Sequence, residues 1–379
     1  MLKDPIPLAA LHRALVIKLR HHGDVLLTTP VFSALKAIVP QIEIDALVYA
    51  ETAEMLSLHP AISELHKIER HTKHKGFMAQ CSAELALLRR LRERRYDLVL
   101  HLCEHPRGAW MTRLTGARWA VAPQVPGRSF FWRESFTHLY AEPRGRPRHT
   151  VERNLDALRR VGIVTAWEER ENKLFRPPPL ALVPGAEAQE RVDTLLAGRG
   201  LEAKRFILMH PASRWTFKCW TSAGWVDLIQ RCVDAGWQVV LVSGPAVEET
   251  AMVAAITTLS ALTPLSVPGA DSGPVHNLAG QLSLKELAAL TARARLLVGV
   301  DSAPMHIAAA VGTPVVALFG PSSEREWGPW QVPHRIVSNE AFPCRPCGID
   351  GCGGGKNAEC VSSIEAGKVF AAAQDLLAE

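Results

Sequence analysis

The run Val300-Asp301-Ser302-Ala303-Pro304-Met305-His306-Ile307-Ala308-Ala309-Ala310 decides the fold. The apolar residues just before it, 296–300, read as a buried strand. Small, helix-compatible residues then continue to Gly312, a favourable helix C-cap. Ser302 suits an N-cap and Pro304 an early helical position. The pattern is therefore a strand, a tight turn and a helix that starts beyond the end of the sheet. Such a helix start offers free backbone N–H groups and partial positive charge, which suit a phosphate. Asp301 stands at the strand tip and His306 one turn into the helix. A second apolar run, 314–319, follows at once and is closed by Gly320-Pro321. This is half of a doubly wound α/β domain with a polar site beyond its strands. On this stretch alone, capping by Asp301 and Ser302 with His306 packed beside them explains the residues equally well.

Working outward, the chain opens with a short strand, 14–19, then Arg20-His21-His22-Gly23-Asp24, then a helix over 25–39 halted by Pro40. The turn carries one glycine rather than G-x-G-x-x-G. A bound dinucleotide is disfavoured, because close approach of a pyrophosphate needs the extra glycines. That also disfavours a nicotinamide oxidoreductase. An acid at a strand tip beside a basic loop is a candidate for proton chemistry, or simply an N-cap. Further strands are predicted at 42–48, 65–68, 98–102 and 118–122, and helices at 52–58, 77–95 and 149–161. The stretch 123–148 reads as a long irregular segment rich in arginine, including Arg128, Arg133, Arg144, Arg146 and Arg148.

Pro177-Pro178-Pro179 marks a boundary, since three prolines continue neither a helix nor a central strand. Beyond it, helices at 186–196, 222–235, 247–259 and 283–294 alternate with strands at 206–209 and 238–242. The loop between 206–209 and 222–235 is His210-Pro211-Ala212-Ser213-Arg214-Trp215-Thr216-Phe217-Lys218-Cys219-Trp220. Trp215, Trp220 and Trp225 read as core or rim rather than sugar platforms. A last helix, 362–377, has an apolar face of Ile364, Val369, Phe370, Ala373 and Leu376 and is expected to return onto the first domain. The expected organisation is two facing Rossmann-like domains, 1–178 and 179–361, with 362–379 as the returning helix. Ligands of such sheets bind beyond the carboxyl ends of the strands, so the cleft between the halves is the expected site.

Composition agrees with a globular chain: 379 residues, 47% hydrophobic and 21% charged. No apolar run is long enough to span a bilayer. The first ten residues hold Lys3, Asp4 and two prolines and lack a secretory apolar core, so a cytoplasmic location is expected. Residues 1–180 carry 28 Lys+Arg against 19 Asp+Glu, while the remainder carry 15 against 19. A basic first half suits an anionic partner, or is a solvated basic face.

Five motifs in order resemble one family: Gly23-Asp24-Val25-Leu26-Leu27-Thr28-Thr29-Pro30, His210-Pro211-Ala212-Ser213, Phe217-Lys218-Cys219-Trp220, Asn277-Leu278-Ala279-Gly280 and Val300-Asp301-Ser302-Ala303-Pro304-Met305-His306. The chain resembles the lipopolysaccharide core heptosyltransferases of glycosyltransferase family 9. Its ending, Cys344-Arg345-Pro346-Cys347-Gly348, looks most like the third core heptosyltransferase. The resemblance implies the GT-B architecture and inverting transfer of L-glycero-D-manno-heptose from ADP-heptose to an inner-core heptose of the lipid A–core oligosaccharide. It implies catalysis without a metal, and neither a cofactor nor a nucleic-acid partner is expected. It also implies a place at the cytoplasmic face of the inner membrane, peripheral rather than spanning.

Asp24 matches the family's general base. Lys218 matches its diphosphate-binding lysine, with Ser213 and Arg214 where relatives carry hydroxyl residues. Arg214 departs from that pattern and adds charge. Asp301, Ser302, Ala303 and His306 match the loop and helix start that hold the diphosphate and the adjacent sugar. An aspartate facing a phosphate is unfavourable, so Asp301 is expected to accept from backbone N–H groups or a sugar hydroxyl. Glu248 matches an acid that meets the ribose hydroxyls, and Leu278 and Ala279 lie where backbone groups meet the adenine. Lys18, Arg20, His21 and Gly23, beside Asp24, are candidate acceptor contacts. Cys344, Cys347, Cys352 and Cys360 have a spacing that can close around a structural zinc or stay as reduced thiols. Two alternatives stand beside this reading: another nucleotide-sugar transferase of the same fold, and a non-catalytic ADP-sugar-binding protein.

Overall fold

The runs of Val, Leu and Ile read as strands form two sheets in a computed structural model that describes residues 4–70, 77–141, 147–261 and 273–379. The chain divides into two units, Met1–Leu182 and Val183–Glu379. The first sheet comprises β1 (Arg13–Lys18), β2 (Glu43–Tyr49), β3 (Glu64–Ile68), β4 (Leu98–His101), β5 (Trp119–Pro123) and β6 (His138–Tyr140). They lie in the order β3-β2-β1-β4-β5-β6, every pair parallel. The second comprises β7 (Phe206–His210), β8 (Gln238–Leu241), β9 (Val275–Asn277), β10 (Leu296–Val300), β11 (Val315–Leu318) and β12 (His334–Val337). Their order is β12-β11-β10-β7-β8-β9, again all parallel. Both sheets are doubly wound, and each reverses its winding between its first and fourth strands. Parallel strands are covered on both faces, which is why β1, β7 and β10 are near-continuous apolar runs.

The expected α/β architecture is present, with differences in detail. β6, β9 and β12 are three- or four-residue edge strands with polar residues such as His138, Asn277 and Arg335, and sequence reasoning missed them. β6 and the helix Phe130–Glu134 break up the segment expected to be irregular. Arg144 and Arg146 of that segment lie outside the described residues, as does Lys3. The expected helix over 25–39 is two helices, His22–Leu26 and Thr29–Ile38. Thr28 and Thr29 return their hydroxyls to the carbonyls of Val25 and Leu26, at 2.6 and 2.8 Å, at the break. The N-cap is His21, so Asp24 sits inside the first turn instead of capping it.

The helix Ala366–Ala378 packs within the second unit. Val369, Ala373 and Leu376 are buried in the core of the second unit with Trp225, Leu296 and Val316. Their spacing makes one apolar stripe, and the sheet edge formed by β10–β12 leaves a face for it to cover. Trp220 Nε1 donates to Ile364 O at 3.0 Å, and Arg295 donates to Leu377 O at 3.0 Å, tying both ends down. Trp225 and Trp220 are core residues, whereas Trp215 is 43% exposed.

Candidate active site

In the second unit, β7 and β10 are neighbours at the point where the winding reverses. The loop 211–220 leaves the tip of β7, and Asp301-Ser302 leave the tip of β10. Lys218 ends a short 3₁₀ turn, Thr216–Lys218, with its N–H on Trp215 O at 2.9 Å. Its ammonium reaches across the strand tips to Asp301, with Nζ 2.5 Å from Oδ2. The Asp301 side chain is 7% exposed and that of Lys218 21%, so the pair is partly shielded from water. Asp301 therefore takes its hydrogen bond from a lysine, where a backbone N–H or a sugar hydroxyl was expected.

The helix Ala303–Val311 begins directly behind this pair and ends at Gly312, whose φ of +77° is left-handed and costs glycine nothing. Ser302 holds the N-cap position, but its hydroxyl does not cap. It donates to Val300 O at 3.2 Å and lies 3.5 Å from His210 Nδ1. His306 and Ala303 are on the first turn, His306 buried. Burial pushes the His210 imidazole down to about 4, which keeps it neutral beside the pair.

The remaining donor candidates fall around this centre unevenly. Ser213 accepts from Trp215 N–H at 3.2 Å, and the Arg214 guanidinium lies 5.6 Å from the Trp215 ring. Glu248 is exposed on the first turn of the helix Val247–Ala261, while its neighbour Glu249 turns back to accept from Gly244 N–H at 3.0 Å. The Leu278 N–H donates to Leu241 O at 2.8 Å and the Ala279 N–H to Asn277 Oδ1 at 2.9 Å. Both amide donors are spent inside the fold, Leu278 is fully buried, and its carbonyl accepts from Gln281 N–H at 3.2 Å.

In the first unit, the winding reverses between β1 and β4. Asp24 sits just beyond β1, its side chain 17% exposed, with Arg20 Nε at 4.0 Å from Oδ1. Arg20 and His21 are exposed, and Gly23 adopts an ordinary helical conformation inside the first turn. Lys18 departs from its expected role as a surface contact for the acceptor. It is buried, and its ammonium donates to Leu102 O at 2.8 Å and to Asn154 Oδ1 at 3.2 Å. Burial lowers its pKa, while the nearby Asp24 carboxylate opposes the shift. Asn154 in turn donates to Leu27 O at 2.9 Å. One amide thus fastens the helix His22–Leu26, which bears Asp24, to the end of β1.

Cys103 is a free thiol. It is buried at the tip of β4, with Sγ 3.6 Å from His101 Nε2 and accepting from Leu19 N–H at 3.5 Å. Burial pushes the thiol up, yet His101 and the N–H groups of His105 and Leu19 outweigh it and draw it down to about 6.

The four clustered cysteines lie close enough to act on one another: burial pushes the Cys360 thiol up, and Cys352, Cys347 and Cys344 push in the same direction. Cys344, Cys347 and Cys352 are exposed and Cys360 is buried. The only trio of potential ligand atoms within 4.8 Å of one another among the described residues is Asp45, Glu64 and His66. There the Asp45 carboxylate already accepts from Arg94 at 2.7 and 3.0 Å and from Tyr96 Oη at 2.7 Å. The guanidinium meets that charge, so this trio is a salt-bridge network low on β2 and β3, away from the strand tips.

Residues 84–356 fit the model of glycosyltransferase family 9 (heptosyltransferase). The chain belongs to glycosyltransferase family 9. Lipopolysaccharide heptosyltransferase 3 of Escherichia coli is 36% identical over 317 residues, covering 82% of this chain and 84% of the relative. The crystal structure of a family 9 glycosyltransferase from Veillonella parvula superposes with a TM-score of 0.78 at 22% identity, over 100% of this chain and 99% of that one. The structure of the E. coli ADP-heptose lipopolysaccharide heptosyltransferase II does so at 0.73 and 21%, over 97% and 98%. This family 9 enzyme is thus a glycosyltransferase with the two Rossmann-like domains of the GT-B fold.

Proposed function

We propose that the protein transfers L-glycero-D-manno-heptose from ADP-heptose to an inner-core heptose of the lipid A–core oligosaccharide, with inversion at the anomeric carbon. The observation that carries this reading is the Lys218–Asp301 pair at the start of the helix Ala303–Val311. The names of the relatives supply the sugar and the acceptor. In this reading an acceptor hydroxyl oxygen attacks the anomeric carbon while the bond from that carbon to the diphosphate oxygen breaks. ADP departs with the electron pair, and the Asp24 carboxylate takes the hydroxyl proton. A base so placed contributes about 10²–10⁴-fold.

The charge growing on ADP meets Lys218 and the first-turn N–H groups, which are already oriented before the reaction starts. Ser213 and Arg214 flank the diphosphate, Glu248 meets the ribose, and Ala303 and His306 line the sugar side. Arg20 and His21, both exposed beside Asp24, are the acceptor contacts. The enzyme works at the cytoplasmic face of the inner membrane, where its acceptor is embedded.

The test is incubation of the purified protein with ADP-heptose and a panel of truncated lipopolysaccharide cores, with products read by mass spectrometry. A mass gain of one heptose on a core of defined structure supports the reading. No heptosylated product on any core, with ADP-heptose bound, would instead leave a sugar-nucleotide binder.

A further inference from the structure

Cys344, Cys347, Cys352 and Cys360 have no part in the reaction proposed above, and all four are free thiols. The fold brings them together from three directions. Arg345 Nε donates to Gly320 O at 2.8 Å and the Gly348 N–H to Pro321 O at 2.9 Å, so the stretch 344–348 is fastened to the turn after β11. Cys360 reaches the same turn from the core of the second unit. It is 3% exposed, and its Sγ lies 3.4 Å from where a Cβ on Gly320 would stand. Between these two stretches the chain doubles back. The Cys352 N–H donates to Asn357 O at 2.7 Å, and Gly351, at a φ of +99°, leaves 2.6 Å between a would-be Cβ and Lys356 N. Only glycine closes such a turn. Arg345 lies within electrostatic reach of the Cys360 thiol, and its side chain is 8% exposed.

We propose that these four cysteines hold one structural, thiophilic metal ion of the zinc type. Four sulfur donors, two of them from a single C-x2-C turn, are the number and kind that a tetrahedral zinc or iron ion takes. On binding, each thiol passes its proton to solvent as a metal–sulfur bond forms, and nothing is oxidised or reduced. Three of the four cysteines are exposed, so their side chains turn onto a shared ion without disturbing the core. Four thiolates around a divalent cation leave net negative charge, and the Arg345 guanidinium is the cation set against it. The ion would tie the turn 351–357 to the core at Cys360. That turn also holds the loop of Lys218, because Thr216 Oγ1 donates to Lys356 O at 3.1 Å. The role is structural and leaves the transfer chemistry to other groups.

The experiment is elemental analysis of the purified full chain for zinc and iron, followed by addition of Co²⁺ and absorption spectroscopy. The parent protein is expected to carry about one ion per chain, or to take up Co²⁺ with the thiolate-to-cobalt charge transfer and the intense ligand-field bands of a tetrahedral sulfur site. The double variant Cys344→Ser/Cys347→Ser, at exposed positions, is expected to lose metal content and cobalt absorption about tenfold or more. Cys81→Ser, in the first unit, is expected to keep both. Which element is found separates zinc from iron. A parent protein that carries no metal and develops no cobalt–thiolate absorption overturns the proposal, and that measurement needs no variant to fold. Metal content unaltered in the double variant overturns it as well. Neither readout depends on heptose transfer, so failure here leaves the transferase reading untouched.

Discussion

Lys218 and Asp301 lie 83 residues apart in sequence, yet Nζ and Oδ2 meet at 2.5 Å across the tips of β7 and β10. In the proposed reading the pair sets a cation against the diphosphate with an anion directly behind it. The two members should therefore act on ADP with opposite sign. Lys218→Gln removes a charge-assisted donor and is expected to raise the dissociation constant for ADP about 10- to 100-fold. Asp301→Asn removes repulsion and leaves Lys218 to the ligand, so ADP should bind as tightly or tighter. Calorimetric titration of ADP into both variants checks this. Equal weakening by both substitutions would make the pair a structural clasp only.

Asn154 is a positioning residue for the first unit. Its amide accepts from Lys18 and donates to Leu27 O, both buried. Asn154→Ala leaves a carbonyl and an ammonium short of partners, at about 1–3 kcal/mol each. The thermal midpoint of the first unit should fall. Heptose transfer should lose kcat with little change in KM for ADP-heptose, since the helix that slackens bears Asp24 and not the donor site. An unchanged kcat in a variant with a lowered midpoint would confine Asn154 to stability.

The buried neutral His210 makes stability depend on pH in a defined direction. Its folded pKa is about 4, below the ordinary 6.5. Above pH 6.5 the ring is neutral folded or unfolded, and its contribution is complete. As pH falls from 6.5 towards 4 only the unfolded chain takes up the proton, so stability is lost at about 1.4 kcal/mol per unit. His105 and His276, also pushed down mainly by burial, act in the same sense. Urea midpoints measured through this window should fall on acidification, and His210→Gln should flatten part of the slope. A parallel slope in that variant would contradict the assignment.

The C-terminal helix should be an integral part of the second unit. Leu376 is 2% exposed within its core. Leu376→Ala is expected to cost about 2–5 kcal/mol through lost burial and the cavity left behind. The exposed Lys368→Ala on the same helix should cost little. Urea unfolding followed by the fluorescence of Trp220 and Trp225, which pack against each other in that core, checks both.

The parts of this architecture legible in the sequence are those written in local pattern. β1, β7 and β10 are unbroken apolar runs, and Gly312 and Pro304 bracket their helix by backbone preference alone. What stayed hidden depends on partners distant in the chain. Lys18 reads as a surface charge until Asn154, 136 residues on, supplies its acceptor. Asp301 reads as a helix cap until Lys218 arrives from another loop. The stripe Val369, Ala373, Leu376 announces a buried face but not which sheet it covers. β6, β9 and β12 are too short and too polar to signal themselves, because pairing with an existing sheet edge forms them.

The most direct test of the account is the rate of heptose transfer by Asp24→Asn, with ADP binding measured on the same preparation. The substitution keeps the side-chain shape and removes the proton acceptor. The account predicts a fall of about 10²–10⁴-fold in kcat, with the ADP dissociation constant unchanged. Transfer persisting at the parent rate in Asp24→Asn would contradict it.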